Sequence, residues 1–119
     1  MTGNPEAGDK LYQRLMQMQQ QAFAAGRFEV AYHLMAAAVH AAEELNRVEL
    51  LDDLEALASS RQKELDQRTP SHTISTAAAH GRGNSPLFST LATTAAAARG
   101  RIVADAAIGR MRDRALWAD

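Results

Sequence analysis

His33 and His40 stand seven residues apart, with Glu29 four residues before the first and Glu44 four after the second. Spacings of four and seven put side chains on one face of a helix. Imidazole and carboxylate gathered on one face can ligate a metal, as in the helical bundles that hold a di-iron centre. Those bundles take Glu-x-x-His pairs from two helices and add further carboxylates. Here the spacing is Glu-x-x-x-His and a single helix supplies it, so the expectation is a solvated face with i,i+4 pairs and no metal or other cofactor.

The remaining polar clusters meet a similar test. Glu43, Glu44, Glu49, Asp52, Asp53 and Glu55 could draw a cation or a basic partner. They lack the Asp-x-Asp-x-Asp-Gly loop of a calcium site, and a solvated helix junction accounts for them. Ser71, His72, Ser75, His80 and Ser85 include nucleophile and base types in one segment. The strand–Gly-x-Ser-x-Gly–helix setting of a serine hydrolase is missing, so capping and turn duty is expected and no residue is read as catalytic. Gly81-Arg82-Gly83 lacks the Gly-x-x-x-x-Gly-Lys pattern of a phosphate loop.

Arg99, Arg101, Arg110, Arg112 and Arg114 make a basic C-terminal stretch that, with Trp117, could touch nucleic acid or an anionic membrane. Asp105, Asp113 and Asp119 dilute it to a net of +2, and a helix laced with ion pairs such as Arg101–Asp105 is the expectation. Nucleic-acid binding therefore stands as an alternative reading, and a metal-carboxylate helical-bundle enzyme around His33 and His40 as a second, while the expectation is not an enzyme.

Composition bounds the elements that position these residues. A chain of 119 residues is read as one domain. Of its apolar residues 25 are Ala, leaving 30 larger ones, 20 of them in residues 1–68 and ten in 69–119. The core is thus expected in the first half, with the second half leaning on it or on a partner. Residues 1–68 carry a net charge of −4 and residues 69–119 a net of +3. The absence of cysteine removes disulfides, thiolate metal sites and Cys nucleophiles. Neither an apolar leader core nor a run of 18 apolar residues is found, and a cytoplasmic protein without a membrane span is the simplest reading.

Along the chain, residues 1–8 read as a polar mobile arm, and Asp9 as the N-cap of a helix over about 10–25. Leu11, Leu15, Met18, Ala22 and Ala25 form its apolar stripe, and Gly26 ends it in a position where Gly is favoured. A second helix spans about 28–45 with Phe28, Ala31, Tyr32, Met35, Ala38, Val39, Ala42 and Leu45 on one face. Asn46 offers a turn, and a third helix follows over about 47–67. Thr69-Pro70 stops it, and a Ser/Thr/Gly linker follows with one helical turn at Ser75–His80. Ser85-Pro86 signals a helix over about 86–98 with Ser as N-cap. Arg99-Gly100 is read as a break before a last helix over 101–117. The fold class is all-α: an antiparallel hairpin extended to a three-helix unit, plus a looser C-terminal helical half.

Leu15, Met18, Ala22, Gly26, Phe28, Ala31, Met35 and Ala38 sit at the spacing of the tetratricopeptide repeat, and residues 12–45 resemble one such helix–turn–helix unit. One repeat-length on, Glu49, Asp52 and Asp53 occupy positions that would be apolar or small, so the resemblance covers one hairpin and not a solenoid. In that family the first helix of a repeat lines the partner-binding groove. The resemblance therefore implies that Met16, Gln20 and Phe23 face a partner. With Tyr12 they form a second apolar line on the first helix, the alternative being packing inside the protein's own bundle. The functional expectation is a non-enzymatic interaction or scaffold module for a protein partner or a second copy of itself.

Overall fold

A computed structural model describes residues 5–117, with side chains described over 6–115. Residues 1–4, the start of the expected arm, and the side chains of Leu116 and Trp117 lie outside the described residues. Among the described residues the chain is all-α, with five helices: α1 (Pro5–Ala24), α2 (Phe28–Glu44), α3 (Val48–Arg68), α4 (Thr76–Gly81) and α5 (Leu87–Trp117). α1 and α2 form the expected antiparallel hairpin. α3 lies on α2, and α5 packs along α3 and α2. The molecule measures 63 × 32 × 19 Å. Its thickness is about two helix diameters, so each helix keeps one open side.

The connections are short because three helices end in the same hydrogen-bonded device. After α1, Arg27 N–H donates to the Ala22 carbonyl (2.8 Å) and Gly26 N–H to the Phe23 carbonyl (3.0 Å). Gly26 takes φ +79° there. After α2, Arg47 N–H reaches Ala42 and Asn46 N–H reaches Glu43, with Asn46 at φ 57°. After α4 the same pair of bonds runs from Asn84 to Ala79 and from Gly83 to His80. Each is a Schellman ending, which satisfies two terminal carbonyls and needs a left-handed residue.

The structure differs from the sequence reading at four points. α1 begins at Pro5 and not near residue 10, so residues 5–8 are helical. Pro is pre-organised for the first helical position, and Glu6 in the first turn suits the helix dipole. Asp9 is consequently inside the helix, where its carboxylate takes Arg47 Nη1 at 3.0 Å instead of capping. α5 runs unbroken through Arg99-Gly100. A mid-helix Gly costs about 1 kcal/mol, and here anchors on both sides outweigh it. Ala95 and Ala98 are fully buried, Arg99 binds Asp52 and Glu55, and Arg101 Nη2 binds Glu43 at 3.3 Å. The expected Arg101–Asp105 pair is thus replaced by a tertiary one.

The fourth difference is the capping of α5, whose start agrees with the sequence reading. The helix begins after Pro86, whose carbonyl accepts the first helical bond from Thr90 N–H at 2.9 Å. Ser85 is not its cap. The Phe88 N–H is instead taken by Gln62 Oε1 at 3.1 Å, from the middle of α3. Gln62 is buried, and its Nε2 donates to Asp66 (3.1 Å) and to the Ile74 carbonyl (3.4 Å). Asp66 in turn accepts from the Thr76 backbone at 2.8 Å and from the Thr76 hydroxyl, at the start of α4. Ser75 Oγ caps the same helix by accepting from Ala78 N–H at 3.1 Å.

Partial burial works against the charged form of Asp66. The bonds from Thr76 and Gln62 and the proximity of His80 outweigh it, and the carboxyl is held below its ordinary value. A group titrating lower in the folded state stabilises fully above the ordinary aspartate range. That stabilisation disappears as acid carries the pH down through the lowered folded value. Asp66→Asn is expected to cost about 1–3 kcal/mol at neutral pH and to flatten the acid limb of the melting curve. Equal melting temperatures for parent and variant at neutral pH would contradict this role. Gly26→Ala at the hairpin turn is expected to cost about 1–2 kcal/mol, and Asn46→Gly at the α2–α3 turn to be neutral or stabilising. Chemical denaturation of the two variants checks the contrast.

Candidate interaction surface

α1 offers two apolar lines, and one residue decides between them. Phe23 is 2% exposed and packs edge-on against Phe28 of α2 (ring centroids 4.9 Å) and Phe88 of α5 (5.9 Å). The Arg61 guanidinium of α3 lies 4.5 Å over its ring, a cation–π contact. Four helices therefore meet at this side chain. Tyr12 is buried on the same line. Burial first, and then the neighbouring Asp53 charge, raise its phenol above the ordinary value, while Arg47 acts in the opposite sense. Met16 is half-buried against the core and Gln20 is exposed. The line Tyr12, Met16, Gln20, Phe23 is thus divided. Tyr12 and Phe23 belong to the protein's own core and do not face an open groove, because turning them inward is what joins the hairpin to α3 and α5.

The other line is the open one. Leu11 (52% exposed) and Met18 (50%) face solvent, with Leu15 half-buried between them and Ala22 half-buried one turn beyond. At 100° per residue these four share one edge of α1. On α2, Val30 (49%), Leu34 and Ala37 share one edge, which the antiparallel hairpin sets beside that line and on the side away from α5. Tyr32 and Glu43, which meet Phe88 and Arg101 of α5, lie on the opposite edge of α2. Gln19, where a tetratricopeptide hairpin carries a small residue, is buried between these lines, with its Oε1 lacking a protein partner.

The polar clusters resolve into local duties. His33 and His40 are exposed, as are Glu29 and Glu44. Among the described residues no group of three or more His, Asp or Glu is placed to hold a metal ion. The acidic group at the α2–α3 junction meets the chain's own arginines. Arg47 pairs with Glu49 and Asp9, Arg99 with Asp52 and Glu55, and Arg101 with Glu43. His72 Nδ1 accepts from Ile74 N–H at 3.2 Å and its ring sits on Phe28, while Ser71, His80 and Ser85 are exposed. Gly81-Arg82-Gly83 is the C-terminal end of α4. An open polar cleft between α3, α4 and α5 is lined by Glu55, Lys63, Asp66, Thr76, Ser89 and Thr93. Sequence reasoning did not anticipate it, because its walls come from segments joined by Gln62.

Compared with known proteins, the chain matches no family model, no curated protein and no solved structure. Among the described residues no helix is long and apolar enough to cross a membrane.

Phe23→Ala is expected to destabilise the protein by about 3–5 kcal/mol, the range for an aromatic lost from a packed core. Met18→Ala is expected to change stability by less than about 0.5 kcal/mol. Urea denaturation of both variants is the check, and equal losses would mean that the two lines of α1 are not distinguished.

Proposed function

We propose that the chain is a non-enzymatic protein–protein interaction or scaffold module that docks a helix or peptide of a protein partner against its first hairpin. What supports the reading is the Leu11–Leu15–Met18 edge of α1 beside Val30 and Leu34 of α2, where large apolar side chains stay half exposed although the same hairpin buries Tyr12 and Phe23. An amphipathic helix laid along such a pair of edges inserts its own i, i+3, i+4 anchors. Methionine on the edge adapts to partners of differing shape. The similarity of residues 12–45 to a tetratricopeptide hairpin agrees in kind. The docking edge here runs along Leu11, Leu15 and Met18, not along Met16, Gln20 and Phe23. A cytoplasmic setting fits this role.

The test is affinity capture from nuclease-treated native extract with the full-length parent and with a Leu11→Gln, Met18→Gln double variant. The expected result is one stoichiometric protein held by the parent and lost by the variant, with both melting alike. A captured protein that the variant holds equally well would overturn the hairpin assignment.

A second reading, a nucleic-acid-associated accessory protein, is favoured by one observation: Arg110, Arg112 and Arg114 are exposed along the last turns of α5. It requires oligonucleotide affinity that falls steeply with salt and disappears when the three are changed to Gln. Salt-independent or absent binding would remove it.

A further inference from the structure

α5 changes character at Gly100. Phe88, Leu91, Ala95 and Ala98 face α2 and α3 and are buried, and among the described residues Ile102 is the last apolar one of the helix packed against the core. Beyond it the apolar residues move to the other side of the helix. Val103 (51% exposed), Ile108 (47%) and Met111 (68%) point away from the bundle, with Ala104 and Ala115 equally open. The helix nevertheless continues to Trp117. A lone helix extended into water is marginal, and an apolar stripe along it is unexplained until something covers it.

We propose that residues 103–115 pair with the same segment of a second copy of this chain, antiparallel about a twofold axis. The stripe Ala104, Ile108, Met111, Ala115 has spacings of four, three and four, which read the same in both directions. Laid antiparallel on its copy it makes four layers: Ala104 on Ala115, Ile108 on Met111, and the two reversed. The large side chains meet at the centre, and the alanines let the backbones close at the ends.

The charges fit the same register. Asp105 and Arg112 are exposed and seven residues apart, hence on one flank of the stripe. In a twofold antiparallel pair that flank meets its own copy, so Asp105 of each chain lies within reach of Arg112 of the other, twice by symmetry. The pairing also ends where the bundle begins. Ala115 of one copy lies beside Ala104 of the other, and the helix end at Trp117 reaches the level of Ile102, the edge of the bundle. A contact of about 20 Å of helix is at the small end of specific interfaces, and self-association with a Kd on the order of micromolar is expected. The pairing uses nothing of the hairpin edge, so it stands or falls separately from the docking proposed there.

The test uses the full chain, in which cysteine is absent. Sedimentation velocity from about 1 to 100 µM, spanning the micromolar Kd expected of so small a contact, should show a monomer converting to a dimer. Met111→Asp should abolish the dimer at every concentration while leaving helicity and the melting of the dilute protein unchanged, since Met111 touches little in its own chain. A monomer throughout for the parent, or a dimer that survives Met111→Asp, overturns the proposal.

The register is tested by oxidation. A mixture of Ala104→Cys and Ala115→Cys chains should form a disulfide-linked dimer that neither variant forms alone, because only the mixed pair brings Cβ atoms within bonding range. Cross-linking of Ala104→Cys by itself overturns the antiparallel register. A parent chain that stays monomeric yet binds anionic phospholipid vesicles or an oligonucleotide, and loses that binding with Met111→Asp, assigns the stripe to that ligand and overturns the pairing.

Discussion

The amide of Gln62 joins the two halves of this protein. It is buried in α3, and each of its polar atoms is committed: the oxygen to the first turn of α5, the nitrogen to Asp66 and to the Ile74 carbonyl. A polar group at that depth is costly unless every bond is made. The positions of the loop after α3, the start of α4 and the start of α5 are therefore fixed together. Phe88 follows directly from the capped N–H, and it carries the C-terminal half into contact with Phe23 and Tyr32.

Charge reinforces the same junction. The acidic first half and the basic second half meet where Arg99 and Arg101 of α5 close on Asp52, Glu55 and Glu43. Exposed pairs contribute little individually. Their placement on either side of Gly100 accounts for a helix that does not break there. Among the apolar side chains, one edge of the hairpin and the outer stripe of the last turns of α5 remain open after these contacts. A two-layer molecule with alanine-rich contacts has no third layer with which to cover them.

The helical hairpin was legible because its signals are local. Gly26 after an apolar-periodic run, and Asn46 after another, mark endings that depend on a single residue's tolerance of positive φ. The path of α5 was not legible. Its N-terminal acceptor lies 26 residues away in α3, and its continuity through Gly100 depends on partners in α2 and α3. Nor could the first helix reveal which line it buries, since Leu11, Leu15, Met18 and Tyr12, Met16, Phe23 are equally good stripes by spacing. The contacts of Phe23 with Phe28, Phe88 and Arg61 decide the matter, and the last two come from elements distant in sequence. Tyr12 and Phe23 are buried for that reason, and the line that stays open, Leu11 and Met18, lies about 100° around the helix.

α5 is one helix with two fates, its first half locked into the core through Gln62 and its second half open in the isolated chain. Amide hydrogen exchange on dilute full-length protein measures this directly. The predicted result is that Phe88 to Ala98 exchange as slowly as the buried stretches of α2 and α3, while Val103 to Ala115 exchange orders of magnitude faster. Equal exchange along the whole of α5, whether uniformly slow or uniformly fast, would contradict the account.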